Sequence, residues 1–172
     1  MTEWCVRGED ESPGQINSGT TYASAMHDAF NGGASVWMAC DWVYPPRKGG
    51  EALIHVDWGN DCVLKKPCWV FRHWSAPREA GMRVVESASS SDGIKVTSFL
   101  SSKRILVIHV VNNTGAATPV RFAISASPVP ATRQRTSAAG DAATLSPLPS
   151  EGGGCADTLP ARSLSTYRIT QK

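Results

Sequence analysis

Glu3 is the residue in this sequence best dressed for chemistry on a sugar. It stands between Thr2, whose hydroxyl can hold a carboxylate by a hydrogen bond, and Trp4, whose ring offers a stacking face for a pyranose. A carboxylate so flanked suits a nucleophile at an anomeric carbon. On these residues alone a solvated glutamate satisfies the same pattern.

The other candidates are scattered. Asp41, Asp57 and Asp61 lie near expected loops, where a structural or substrate-orienting role competes with a catalytic one, and Arg47 sits in a polar loop that could reach a glycan hydroxyl or carboxylate. His55, His73 and His109 fall on apolar segments and read as core histidines. Trp69 and Trp74 are spaced for a helix core, whereas Trp4, Trp42 and Trp58 fall near loop ends where a sugar could stack. No Gly-x-Ser-x-Gly occurs, so a serine triad has no elbow. The five cysteines, Cys5, Cys40, Cys62, Cys68 and Cys155, form no Cys-x-x-Cys and have no histidine at finger spacing, which argues against a metal. Their number in 172 residues leans toward a secreted protein, as does the glycosylation sequon Asn112-Asn113-Thr114.

Composition narrows the classes further. A net charge of +2 with no basic cluster gives nucleic acid no electrostatic footprint. No run of 18 apolar residues is present to span a membrane, and the first twenty residues lack the pattern of a signal peptide. A hydrophobic fraction of 41% is enough for a packed core.

These side chains need elements to hold them, and the sequence changes texture along its length. All six tryptophans precede residue 80, while the remainder is rich in Ser, Thr, Ala, Pro and β-branched residues, which predicts two structural units. In the first, Tyr22, Met26 and Phe30 recur at helical spacing, with Ser18, Thr20 and Thr21 as candidate N-caps and Asn31-Gly32-Gly33 as the stop. The apolar run from Ala34 to Trp42 predicts a buried parallel strand of an α/β sheet. A short strand over 52–58 and a helix opening at Pro67 follow. In the second unit, Ile94 and Val96 share a face, 104–111 is apolar on both faces, Val120, Phe122 and Ile124 alternate with polar neighbours, and 163–170 closes the chain. With a hairpin-like connection at Asn112-Asn113-Thr114-Gly115, this predicts an antiparallel β-sandwich. Residues 138–155 read as a surface loop without a core of their own.

The order of Thr2-Glu3-Trp4, a helix, Ala39-Cys40-Asp41-Trp42, Val56-Asp57-Trp58-Gly59, Trp69-Val70-Phe71-Arg72-His73-Trp74-Ser75 and Gly81-Met82-Arg83-Val84 resembles the C-terminal third of glycoside hydrolase family 30, in particular its fungal endo-β-1,6-galactanase-like members. The tail, from Asp157-Thr158-Leu159-Pro160 through Ser165-Thr166-Tyr167, is similar to the last sandwich strands of that family.

The resemblance implies the C-terminal end of a (β/α)₈ barrel in residues 1–79, followed by an antiparallel β-sandwich in 80–172. It implies retaining hydrolysis of a β-linked polysaccharide by two glutamates about 5–5.5 Å apart, outside the cell and without cofactor or metal. Glu3 would be the nucleophile at the end of the seventh barrel strand. Trp37 or Trp42 would form part of the sugar-binding wall, with Trp4 and Trp58 as further substrate contacts. The family's acid/base follows an Asn, and no Asn-Glu occurs here. Glu3 also has two residues ahead of it where a strand needs roughly five. The expectation is therefore an internal start at Met1 and an isolated chain without activity. The alternative is a non-catalytic carbohydrate-binding or structural β-sandwich with a barrel remnant.

Overall fold

The computed structural model describes Trp4 and residues 16–45, 52–59, 61–124, 131–149 and 154–171. Glu3, Cys5 and Arg47 lie outside the described residues.

Helix α1 (Asn17–Asn31) turns Tyr22, Ala23, Met26 and Phe30 onto one buried face, as their spacing predicts. It ends at Gly32, and Gly33 then takes a φ of +91°, a backbone conformation open to glycine at no steric cost. The N-cap differs from expectation: Ile16 holds that position without a side-chain hydrogen bond. Thr20 and Thr21 lie inside the first turns, where their hydroxyls donate back to the Asn17 carbonyl at 3.0 and 2.9 Å. Helix α2 (Lys66–Ser75) opens with Pro67 in its first turn and buries Val70, His73 and Trp74. Trp74 is fully buried, whereas Trp69 is half-buried with the Arg72 guanidinium 5.9 Å from its ring centroid.

The run from Ala34 to Trp42 is not a continuously buried strand. Regular strand geometry begins only with β1 (Val43–Tyr44), which pairs in parallel with β2 (Ile54–Asp57). β2 pairs antiparallel with β3 (Asp61–Leu64). Within 34–42 burial alternates: Trp37 is 6% exposed while Val36 and Met38 are 60% and 45% exposed. Burial on both faces needs neighbours on both sides, and here the partners seen are Trp4, through a Cys40 N–H to Trp4 carbonyl bond of 2.8 Å, and later β2.

The larger sheet has six strands in the order β4 (Arg83–Val85), β5 (Ile94–Leu100), β6 (Ile105–Asn112), β11 (Ser163–Thr170), β8 (Ala131–Ser137), β9 (Gly140–Leu148), every pair antiparallel. β7 (Thr118–Ala123) and β10 (Gly154–Leu159) form a separate antiparallel pair. Side chains alternate across a strand, and β6 shows why three layers result. Ile105, Val107 and Val111 join a core with Tyr22, Met26, Phe30, Val70 and Trp74 of the helices. Leu106, Ile108 and Val110 join Tyr167 and Ile169 in a second core that packs against Val120 and Phe122 of β7. The first core thus draws on residues from both sides of the compositional change at residue 80.

Two loop expectations are corrected. Residues 138–155 hold β9 and the start of β10, with Ala142, Leu148 and Cys155 buried, because their sparse apolar residues are spaced to meet a sheet rather than to form a core alone. Asn112-Asn113-Thr114-Gly115 is a crossover between sheets, since β6 pairs with β5 and β11 while β7 pairs with β10. The sequon is also closed: Asn112 is fully buried, its Nδ2 donating to the carbonyls of Ala116 at 3.0 Å, Leu159 at 3.3 Å and Pro160 at 2.8 Å. A glycan on that nitrogen is incompatible with this packing.

Candidate functional site

One end of the helical layer is a cluster of aromatic rings. Trp4 stands edge-on to Tyr22 at 4.7 Å between centroids and lies 5.5 Å from Trp37, and Tyr22 stands edge-on to Trp37 at 5.9 Å. Each such pair adds about 0.5–1.5 kcal/mol beyond its area burial. Phe71 of α2 extends the cluster, 6.1 Å from Trp37 and edge-on to Trp42 at 6.0 Å and 89°.

The backbone ties the same residues together. Cys40 donates its N–H to Trp4, and its carbonyl accepts from the Tyr22 hydroxyl at 3.3 Å. The amides of Leu53 and Ile54 donate to the carbonyls of Asp41 and Trp42, both at 3.1 Å, which sets the line of β1 beside β2.

The four tryptophans expected as substrate contacts therefore divide. Trp4 is half-buried and Trp37 is buried within the cluster. Trp42 is 57% exposed, with its ring perpendicular to that of Phe71. Trp58 makes none of these ring contacts; it stands 73% exposed at the turn between β2 and β3, where Gly59 takes a φ of +107°. Of the pair Trp37 and Trp42, Trp42 has the accessible ring.

The carboxylates near these rings are Asp41, half-buried and accepting the Cys40 thiol at 2.9 Å, and Asp57 and Asp61, exposed and opposite each other in the β2–β3 register. An exposed indole packed against a second ring is an apolar platform, and carboxylates accept hydrogen bonds from hydroxyls. Among the described residues no group of three or more His, Cys, Asp or Glu is placed to hold a metal ion, and no helix is long and apolar enough to cross a membrane.

The brace was not legible in the sequence. Phe71 is one aromatic among several in 69–74, and nothing local shows that it faces Trp42. Tyr22 reads as a core residue from its spacing, which it is, but its bond to the Cys40 carbonyl joins segments 18 residues apart.

The whole chain superposes on solved enzymes. A family 30 subfamily 8 xylanase from Clostridium acetobutylicum matches with a TM-score of 0.83 at 19% identity, covering 99% of this chain and 42% of that one. The fold is shared with glycoside hydrolase family 30. The xylanase C catalytic domain from Talaromyces cellulolyticus matches at 0.81 and 18% identity, over 99% and 40% of the two chains. A family 30 endoxylanase from Clostridium papyrosolvens matches at 0.79 and 19%, over 99% and 41%. The chain thus spans about two-fifths of the length of each of these enzymes. No protein-family model and no curated protein matches the sequence.

Proposed function

We propose that this chain is the C-terminal part of a retaining glycoside hydrolase of the family 30 kind, acting outside the cell on a β-linked polysaccharide, with an endo-β-1,6-galactanase-like preference. In this reading residues 1–79 are the last strands and helices of a (β/α)₈ barrel, and residues 80–172 are the side sandwich. The observation that carries it is the full-length superposition on three family 30 xylanases with TM-scores of 0.79 to 0.83. The bond from Cys40 to Trp4 supports it, because it sets Trp4, the residue after Glu3, beside the Trp37–Trp42 segment, as neighbouring barrel strands would be. The exposed Val36 and Met38, opposite the buried Trp37, suit side chains directed into a barrel interior.

Glu3 is the nucleophile of this proposal, Trp42 and Trp58 are the stacking surfaces, and Trp4 and Trp37 belong to the aromatic cluster that Phe71 links to Trp42. The acid/base belongs to a part of the barrel that this sequence does not supply. General acid assistance contributes roughly 10²–10⁴ in rate, so the 172-residue protein on its own should leave β-1,6-galactan, β-glucan and xylan intact. Turnover of any of them by the purified chain would sink this division of labour.

The positive test is a longer chain, read from the frame upstream of Met1 and carrying an Asn-Glu. It should cleave β-1,6-galactan with retained anomeric configuration, and Glu3→Gln should abolish the cleavage. A longer chain that binds the glycan without cutting it would favour the non-catalytic binding module instead.

A further inference from the structure

Between α2 and the six-stranded sheet runs a buried line of four polar side chains. The Ala142 amide donates to Thr136 Oγ1 at 2.8 Å, Thr136 Oγ1 lies 2.9 Å from His73 Nε2, His73 Nδ1 lies 2.8 Å from Thr166 Oγ1, and Thr166 Oγ1 lies 2.9 Å from His109 Nδ1. His73, His109 and Thr136 are fully buried and Thr166 nearly so.

Each hydroxyl has one proton to give, which restricts the order. If Thr136 donates to His73 Nε2, then His73 Nδ1–H donates to Thr166 and Thr166 donates to His109 Nδ1. Both hydroxyl protons are then used, and the N–H of His109 Nε2, an atom without a hydrogen-bond partner among the described residues, is the single unsatisfied donor of the line. The reverse order strands both the Thr136 proton and the His109 Nε2 lone pair. The forward order leaves fewer unsatisfied groups and is the favoured one.

We propose that this line is an acid-sensitive clasp: neutral imidazoles in that one proton order hold α2 on the sheet, and proton uptake releases the helix. Burial and the guanidiniums of Arg72 and Arg78 oppose a positive charge on the pair, while the Trp74 ring, stacked on His109 at 4.3 Å, favours one. Burial, then Arg72, lowers His73 to about 3, and burial, then His73 and Arg78, pushes His109 well below the usual histidine value. β5, β8, β9 and β11 face the pair with Phe99, Thr136, Ala142 and Thr166, none of them charged, and α1 contributes Phe30 beside Trp74. Among the described residues no carboxylate acts on either ring.

A histidine lowered in the fold contributes stability above its unfolded value, near 6.5, and that stability drains away as pH falls toward the folded value. Release matters beyond the clasp because α2 carries Phe71, the brace of Trp42. The clasp does not depend on the glycosidase reading.

Amide hydrogen exchange of the 172-residue protein between pH 6 and 4.5, corrected for intrinsic rates, tests it. Opening that frees both rings should rise by about 100-fold per pH unit for the α2 amides, and by about 10-fold in His109→Gln, since each freed ring takes up one proton. The β6 and β11 amides should stay protected while α2 opens. A pH-independent α2, an unchanged slope in the variant, or simultaneous loss of α2 and β6 protection would overturn the clasp. Nitrogen NMR of the imidazoles gives a check free of any variant: His73 protonated on Nδ1 and His109 on Nε2 at pH 7 is expected, and the opposite order defeats the proposal.

Discussion

At the scale of single residues, Asp157 shows how one side chain can hold a sandwich edge. It accepts from Arg133 Nη1 at 2.7 Å, Arg135 Nη2 at 2.6 Å, the Tyr167 hydroxyl at 2.6 Å and its neighbour's amide, Thr158, at 2.7 Å. Burial alone pushes its carboxyl upward, but the hydrogen bonds from Tyr167 and Arg133 and the two guanidiniums together hold it below the usual aspartate value. A lowered carboxyl contributes stability above its unfolded pKa, near 3.9, and loses it as pH falls through the folded one. This loss therefore sets in below the histidine window. Asp157→Asn should destabilise the protein by about 3 kcal/mol, because two part-buried guanidiniums lose their counter-charge. Urea denaturation at pH 7 measures it, and at pH 2 the difference between variant and parent should shrink. Asn112 makes a different prediction. Produced in a secretory host that glycosylates asparagine, the folded protein should show no mass shift on glycosidase treatment, since the Asn112 amide is committed to three carbonyls.

At the scale of elements, α2 is joined to the sheet through Trp74, which stacks on His109 at 4.3 Å and Phe30 at 5.7 Å and meets Phe99 edge-on at 6.3 Å. Trp74→Ala should cost about 4 kcal/mol, the range for emptying a buried aromatic site, and thermal melting reads it. The β7–β10 pair has a steric requirement of its own. A Cβ at Gly154 would come within 2.2 Å of the Phe122 carbonyl oxygen, so Gly154→Ala must push the strands apart. It should lower stability by about 1–3 kcal/mol, in the manner of an overpacked site.

Most of these elements were legible from period alone. Tyr22, Met26 and Phe30 announce α1, and the doubly apolar 104–111 announces a central strand, observed as β6. β9 was not legible, because Ala142 and Leu148 acquire partners only when α2 and β8 arrive. The capping threonines misled for a related reason: their hydroxyls find carbonyls one turn back as easily as they cap an end.

At the scale of the whole molecule, Val36, Met38, Trp42, Val43, Val63 and Leu64 are all exposed around the short parallel pair and its hairpin. Apolar surface gathered in this way promotes association. The isolated chain should self-associate at tens of micromolar in sedimentation experiments, and Val36→Lys with Met38→Lys should shift it toward monomer without lowering its melting temperature. A wild-type chain that stays monomeric would contradict this reading of the surface.

The sequence by itself determined the helices, the strands β5, β6, β7 and β11 and the aromatic character of the first half, because each rests on periodicity or local composition that needs no partner to be read. It also held the order of motifs that resembles family 30, a likeness that the superposition matches at the level of fold. Tertiary structure alone decided which tryptophan is open. Trp37 and Trp42 belong to one extended run, and their fates part because Trp4, Tyr22 and Phe71 close around the first while, of these three, Phe71 alone meets the second. It likewise closed the sequon and joined His73 to His109 through Thr166, since burial and hydrogen bonding between segments 57 and 93 residues apart leave no mark on local sequence.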